Sequence, residues 1–145
     1  MDEYFADLWD RWQHDETKAV RYEHWPDAQL SKCHETVDAY VREHQDCKAI
    51  RGAWVQPIGG NGSCLLHAHS LVELPDGEWL DITPLTEQER DSGVKDRRQR
   101  ANLVFLEHRG TAEQFRQFCK IGQVLWPPAI PDAIEPDFGS SEGLM

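Results

Sequence analysis

The chain has 145 residues and a formal net charge of −11 at pH 7. This length fits one domain with a modest core, to which six tryptophans add bulk. An acidic surface argues against nonspecific binding to DNA, RNA or anionic lipid, so we expect neither a nucleic-acid partner nor a membrane partner. No apolar run approaches the length needed to span a bilayer.

The cellular location and the state of the cysteines follow from local sequence. Residues 1–5 are acidic and lack the basic-then-apolar order of a signal peptide, so we expect a cytoplasmic protein. The four cysteines contain no CxxC pair, and in a reducing compartment we expect them to be free thiols. No motif implies a cofactor. The short basic run at residues 95–100 is interrupted and is typical of a solvated surface.

The N-terminal region predicts two helices. Residues 3–17 carry an apolar stripe with helical spacing, formed by Phe5, Leu8, Trp9 and Trp12. Pro26 argues against a continuous helix through residues 18–30. Ser31 is a candidate N-cap for a second helix that runs to about His44.

Cys33 lies in the first turn of this second helix. Helical geometry places it on one face with Val37, Tyr40 and Val41, and that face is expected to pack on a sheet. The positive end of the helix dipole stabilises a thiolate in the first turn. A free cysteine at such a position is also commonly just a small buried side chain. Its role therefore depends on what the sheet presents to it.

The middle of the chain predicts three strands of an antiparallel sheet. The first covers residues 48–57 and ends before a glycine-rich turn at residues 59–62. The second covers residues 64–74 and the third covers residues 78–83, which end before Pro84. Together with the two helices, these strands predict an α+β fold in which N-terminal helices pack on an antiparallel sheet.

The remaining segments complete this domain. Residues 86–100 are polar and partly helical by pattern, and residues 102–107 predict a fourth strand. Thr111 and Gln114 form a capping box for a short helix that runs through Cys119.

The domain boundary is expected near Pro127. From that residue the chain is rich in proline, glycine, serine and acid, which predicts a disordered tail over residues 127–145. We therefore expect a single α+β domain over residues 1–126.

The turn between the second and third strands decides whether His69 and Asp81 can meet. A two-residue loop at residues 76–77 would move Asp81 to the opposite face of the sheet. A three-residue loop at residues 75–77 places Leu71 opposite Asp81, and His69 becomes its diagonal neighbour on the same face. The Pro-Asp-Gly sequence of the loop favours the three-residue form, because glycine accepts a left-handed third position.

These positions predict a catalytic triad with Cys33 as nucleophile, His69 as base and Asp81 as the residue that orients the base. His67 shares the face of His69 and is the competing base, but it lies farther from Asp81 in the hairpin register. The backbone N–H of Cys33 is the better candidate for an oxyanion donor, and the side chain of Gln29 is a weaker one. Each triad residue could instead be structural.

A metal site is the other chemistry that these residues permit. His67 and His69 form an HxH pair on one strand face, and Cys33, His34 or Asp81 could complete a tetrahedral zinc site. HxH alone is a weak signal, so we expect no bound metal. Three cysteines have no evident partner and are expected to be packing residues, namely Cys47, Cys64 and Cys119.

The order of these parts resembles the core of the transglutaminase-like branch of the papain-like cysteine peptidase superfamily. The similar segments are CHETVDAYV at residues 33–41, RGAWV at residues 51–55 and HSLVELPDGEWLDITP at residues 69–84. The last is the most similar, with its glutamate four residues after the histidine, its Gly-x-Trp and its Asp-x-Thr. The resemblance covers about residues 31–84. It implies a helix with the nucleophile at its start, packed on an antiparallel sheet, and it assigns the three triad roles to Cys33, His69 and Asp81.

The leading hypothesis is a small thiol-dependent hydrolase or acyltransferase that acts on an amide or thioester. Its substrate would be a peptide, a protein or a small amide. Two alternatives remain open. One is a noncatalytic binding module on the same fold, because fold does not fix function. The other is a metal-binding protein that uses histidine and cysteine ligands.

Overall fold

The computed structural model describes residues 1–14, 18–29, 32–58, 62–84, 91 and 104–128. Within these residues it is an α+β structure, in which three helices accompany one mixed sheet of six strands. The helices are α1 (Asp2–His14), α2 (Cys33–Glu43) and α3 (Ala112–Ile121). The strands are β1 (Val20–Tyr22), β2 (Lys48–Ile58), β3 (Ser63–Glu73), β4 (Trp79–Asp81), β5 (Val104–Glu107) and β6 (Gln123–Trp126).

A long antiparallel hairpin of β2 and β3 is the centre of the sheet. The strand order is β1-β4-β3-β2-β5, and β6 pairs with β3. The sheet is mixed rather than purely antiparallel, because β1 lies parallel to β4. The sequence did not predict β1 or β6. Strands of three and four residues are too short to show a clear alternating pattern.

One edge of β3 has a gap that matters for the site. β2 pairs with β3 along the whole of its length. On the other edge, β6 pairs with residues 64–67 and β4 pairs with residues 72–73. Residues 69–71 are therefore not paired on that edge by any described strand.

The turn between β3 and β4 has the predicted three-residue form. The N–H of Leu74 donates to the carbonyl of Glu78 at 2.9 Å, and Gly77 adopts a left-handed φ of 89°. The strand register pairs Val72 with Leu80, and its continuation places Leu71 opposite Asp81. The prediction that His69 and Asp81 share a face of neighbouring strands is confirmed.

The helices all pack on one face of the sheet. Two side chains of α2, Val37 and Tyr40, are buried against Val72 and Leu80. Trp25 packs on this cluster. The helices α1 and α3 cover the other end of the same face, in a cluster that includes Phe5, Leu8, Val55, Leu66 and Phe118. The opposite face carries a separate aromatic cluster, which includes Trp54, Leu71, Trp79 and Phe105.

Several predicted boundaries need correction. α1 ends at His14, and residues 15–17 lie outside the described residues. The N-cap of α2 is Lys32, which makes no side-chain cap, and Ser31 lies outside the described residues. The strand predicted over residues 78–83 is shorter, and its pairing covers Trp79–Asp81.

At the C-terminal end, the capping box of Thr111 and Gln114 is confirmed at the start of α3. The predicted helical segment at residues 86–100 lies outside the described residues apart from Asp91, and most of the predicted tail, residues 129–145, also does.

Candidate active site

Cys33 is the first residue of α2, as predicted, and its side chain is half-buried. The segment before the helix is tied to its first turn by Thr36, whose backbone N–H donates to the carbonyl of Lys32 at 2.9 Å. The Thr36 hydroxyl also accepts from the N–H of Gln29 at 3.2 Å. These bonds hold the start of α2, and Cys33 lies there at the positive end of the helix dipole.

His69 and Asp81 form a buried pair. Nε2 of His69 lies 3.2 Å from Oδ1 of Asp81, and the two residues are 5% and 0% exposed. The same carboxylate oxygen accepts the N–H of Thr83 at 3.0 Å. Aspartate is a poor strand former, and these two bonds explain its position at the end of β4. The structure thus brings together the two residues that the hairpin register predicts to meet.

The ring of His69 lies between aromatic side chains. Its centroid is 5.3 Å from that of Trp54 and 6.4 Å from that of Phe105. Gly52 pairs with His69 across the hairpin, and a Cβ there would meet the Phe105 ring at 2.7 Å and collide with the backbone of Leu106. This apolar surround lowers the local dielectric constant and strengthens the interaction of His69 with Asp81.

The start of α2 lies beside the unpaired part of β3, because His34 contacts Ser70 there. The helix α2 packs on the face of Val72, whereas His69 belongs to the opposite face with Leu71. Nevertheless, the imidazoles of both His34 and His69 act on the Cys33 thiol and lower its pKa. The unpaired stretch of β3 allows this, because no described strand separates the start of α2 from His69 there.

The pKa values of Cys33 and His69 shift in opposite directions. Burial raises the pKa of Cys33, but hydrogen bonds with His34 and His69 outweigh it, and the net pKa falls to about 5. Burial lowers the pKa of His69, but the Asp81 charge and the bonds with Asp81 and Cys33 raise it to about 9. Between about pH 5 and about pH 9, a Cys33 thiolate therefore faces a His69 imidazolium.

The other three thiols differ from Cys33. Burial raises the pKa of Cys64 to about 11 and also raises the pKa of Cys47. For Cys119, burial and the nearby Cys33 both raise the pKa. Cys33 is therefore the thiol that ionises most readily. All four cysteines are free in the structure.

A second group of polar residues around His34 was missed by sequence reasoning. Nδ1 of His34 lies 2.5 Å from Oγ of Ser70, and its Nε2 lies 3.4 Å from Sγ of Cys119. Arg51 donates from Nη1 to the same Ser70 oxygen at 2.9 Å, and from Nη2 to Asp38 at 2.6 Å. Cys119 is thus a partner of His34, not only a packing residue. The hairpin register, which places Arg51 opposite Ser70, was the available signal.

His67 and Gln29, which the sequence offers as an alternative base and an alternative oxyanion donor, lie in different surroundings. Oδ1 of Asp81 contacts His69, and His67 is half-buried. The side chain of Gln29 is exposed and lines a cavity of about 200 Å³ with Asp27, Glu35, Thr36, Ala39 and Arg42. No group of three or more histidine, cysteine or acidic residues is placed to hold a metal ion in the part of the chain that the structure describes.

No helix among the described residues is long and apolar enough to cross a membrane. Comparisons of the chain with protein-family models, with curated proteins and with solved structures give no match. The bonds of His69 and the ionisation of Cys33 are therefore the basis for a function.

Proposed function

We propose that this protein is a thiol-dependent hydrolase or acyltransferase for amides or thioesters. Cys33 is the nucleophile, His69 is the base and Asp81 orients His69. The observation that carries the proposal is the position of His69, which bonds to the buried Asp81 and lowers the pKa of the Cys33 thiol. Nucleophile, base and orienting carboxylate in contact form the arrangement that activates a nucleophile.

The acylation step uses both ring nitrogens of His69. Because Nε2 is bonded to Asp81, Nδ1 is the nitrogen that serves Cys33. The thiolate attacks the substrate carbonyl carbon and a C–S bond forms. The backbone N–H of Cys33, at the start of α2, stabilises the oxyanion. As the intermediate collapses, the imidazolium gives its proton to the leaving amine or thiol, and a thioester with Cys33 remains.

Deacylation returns the site to its starting state. Neutral His69 takes a proton from water or from an acceptor amine, which attacks the thioester carbonyl. The C–S bond breaks and Cys33 leaves as a thiolate beside the imidazolium. Water gives hydrolysis and an amine gives acyl transfer. Asp81 holds the ring orientation in both steps and stabilises its positive charge.

The order of elements supports a papain-like, transglutaminase-like core as part of this proposal. Cys33 begins a helix, His69 lies on the second strand of the following hairpin, and Asp81 lies on the next strand after a three-residue turn. The substrate that fits the proposal is a peptide, a protein or a small amide, and it is neither a nucleic acid nor a lipid surface.

The first experiment measures alkylation of each cysteine by iodoacetamide as a function of pH, using mass spectrometry. His69→Ala is the test variant and His67→Ala is the matched control, because both histidines share one strand face. We expect fast labelling of Cys33 at pH 6, loss of that labelling in His69→Ala, and near-normal labelling in His67→Ala. If Cys33 reacts no faster than Cys64 in the wild type, the thiol is a packing residue and the proposal fails.

The second experiment looks for the acyl-enzyme. The protein is mixed with an aryl thioester of a short carboxylic acid, and its intact mass is followed with time. We expect one acyl group on Cys33 and none in Cys33→Ala. A wild-type protein that labels at Cys33 with iodoacetamide but never accepts an acyl group would instead be a binding module with a reactive thiol.

A further inference from the structure

A small cavity beside β5 is lined by none of the triad residues and has a positively charged wall. Its volume is about 110 Å³, and three of its lining residues are the cations Arg11, Lys18 and Arg109. They come from the last turn of α1, the stretch before β1 and the loop after β5. Glu107 is the one acidic residue among the described residues that line it. Because the chain carries a net charge of −11, an anion approaches it favourably only where cations are gathered, as they are here.

Two of these cations are held in place by contacts of their own. Arg11 is 7% exposed, and its Nη2 donates to the carbonyl of Glu107 at 2.9 Å. Nζ of Lys18 lies 4.3 Å from the centroid of the Trp79 ring. The indole N–H of Trp79 donates to Glu73 at 3.3 Å, which holds this ring in turn. Cations that are ordered before a ligand arrives lose less conformational entropy when it binds.

The acidic neighbours of these cations leave them able to bind a further anion. Nζ of Lys18 lies 3.9 Å from a carboxylate oxygen of Glu73, and Nη1 of Arg11 lies 3.7 Å from one of Asp7. Neither acid lines the cavity, and partly exposed pairs of this length contribute little free energy. Arg109 is exposed and forms no ion pair with any residue that the structure describes.

The rest of the cavity wall is apolar. Trp79, Phe105 and Leu106 are all buried and line it. The rings of Trp79 and Phe105 meet edge to face, with their centroids 5.4 Å apart, and so form a fixed surface. Inorganic phosphate has no apolar part to place against these rings, whereas an organic carboxylate has a charged head and an apolar body. The wall therefore favours the organic ligand.

We propose that this cavity is a binding site for a small organic carboxylate. Arg11, Lys18 and Arg109 bind the charged head, and the apolar body packs against Trp79 and Phe105. Guanidinium groups suit this ligand because their planar donors match the two oxygens of a carboxylate. The inference goes beyond the proposed function, since no residue of the proposed triad takes part in it.

The first test titrates ¹⁵N-labelled full-length protein with sodium isobutyrate at constant ionic strength. It follows the backbone N–H signals of β5 and the indole N–H signal of Trp79, which Trp79→Phe assigns. Isobutanol is the matched ligand, because it has the same branched carbon skeleton without the charge. We expect saturable shifts with isobutyrate and none with isobutanol. Unchanged signals with isobutyrate, or equal shifts with both ligands, overturn the proposal.

The second test repeats the titration with variants of the cations. Arg109→Gln removes an exposed charge, so the variant keeps its fold, and Lys120→Gln is the control because Lys120 is exposed on α3 and does not line the cavity. We expect Arg109→Gln to raise the Kd for isobutyrate about five- to tenfold, and Lys120→Gln to leave it unchanged. Equal Kd values in Arg109→Gln and the wild type overturn the proposal, as does equal weakening in both variants.

Inorganic phosphate tests the class of ligand. We expect phosphate to bind more weakly than isobutyrate, because it gains nothing from the apolar wall, and tighter binding of phosphate overturns the carboxylate assignment. None of these titrations depends on the thiol. A protein that binds isobutyrate but never forms an acyl-enzyme supports this inference and refutes the proposed function. A protein that forms an acyl-enzyme but does not bind isobutyrate gives the reverse result.

Discussion

Oδ1 of Asp81 lies 3.2 Å from Nε2 of His69, because the register that pairs Val72 with Leu80 puts both residues on one face of the sheet. The turn at residues 75–77 sets the register, since one residue fewer would move the carboxylate to the other face. The charge on Asp81 in turn makes His69 a stronger base than an isolated buried imidazole. A local feature of the backbone thus determines the chemistry of the proposed base.

Replacing Asp81 by Asn tests this dependence. The Asp81 charge is the main influence that raises the pKa of His69, so its loss leaves burial to lower that pKa. The imidazolium beside Cys33 is lost at neutral pH, and the pKa of Cys33 rises in response. We expect labelling of Cys33 at pH 6 to slow about tenfold or more, since one pH unit in pKa is a factor of ten in thiolate.

The matched control for this change is Asp76→Asn. Asp76 lies in the same hairpin and accepts the N–H of Glu78 at 2.9 Å, a bond that an asparagine oxygen also accepts. We expect Asp76→Asn to label at Cys33 like the wild type. Equal slowing in both variants would attribute the effect to the hairpin fold and not to the charge on Asp81.

The pH dependence of turnover gives a separate prediction. The pKa of Cys33 is lowered to about 5, so the thiolate is present above that pH and is lost as pH falls through it. The pKa of His69 is raised to about 9, so the imidazolium is present below that pH and is lost as pH rises through it. We expect a bell-shaped profile for amide cleavage, high between these limits.

Alkylation with iodoacetamide provides the comparison for that profile. This reaction needs the thiolate but no proton donor, so its rate rises near pH 5 and does not fall above pH 9 as amide cleavage does. Parallel loss of both rates above pH 9 would contradict the assignment of His69 as the proton donor.

The turn glycine predicts a measurable loss of stability. Gly77 has a φ of 89°, a region that side chains with a Cβ rarely adopt, and open space surrounds the position of a Cβ there. Gly77→Ala should therefore lower the free energy of unfolding through backbone strain alone, by about 1–2 kcal/mol. Urea denaturation measures this change. Gly77→Asn is the control, because asparagine tolerates the left-handed region better, and it should lose less than Gly77→Ala.

The sequence was sufficient for the parts of the site that depend on local rules. The Pro-Asp-Gly turn predicts the register of Asp81, and the first-turn position of Cys33 follows from the helical pattern. The gap in the edge of β3 was not predictable, because it depends on where β6 and β4 stop pairing. His34 was missed for a related reason. Its partners Ser70 and Cys119 lie on β3 and α3, far apart along the chain, and no spacing rule connects them.

Gly52 is the position where the sheet and the site depend on each other most directly. It pairs with His69 in the hairpin, and the backbone of β5 passes so close that a Cβ would collide with the carbonyl of Leu106 and meet the Phe105 ring at 2.7 Å. Backbone cannot move aside as a flexible side chain can. We expect Gly52→Ala to lower the free energy of unfolding by about 1–3 kcal/mol, as overpacking does.

The same substitution should also disturb the site in the molecules that stay folded. Displacement of β5 moves Phe105 away from the His69 ring, whose centroid is 6.4 Å from it. Water then enters beside His69 and weakens its interaction with Asp81. In folded Gly52→Ala we expect labelling of Cys33 at pH 6 to slow. We also expect hydrogen exchange at His69 to increase. Lys48→Ala serves as control, because Lys48 lies on the same strand and its side chain is exposed. Unchanged stability and labelling in Gly52→Ala would show that β5 can shift without affecting His69.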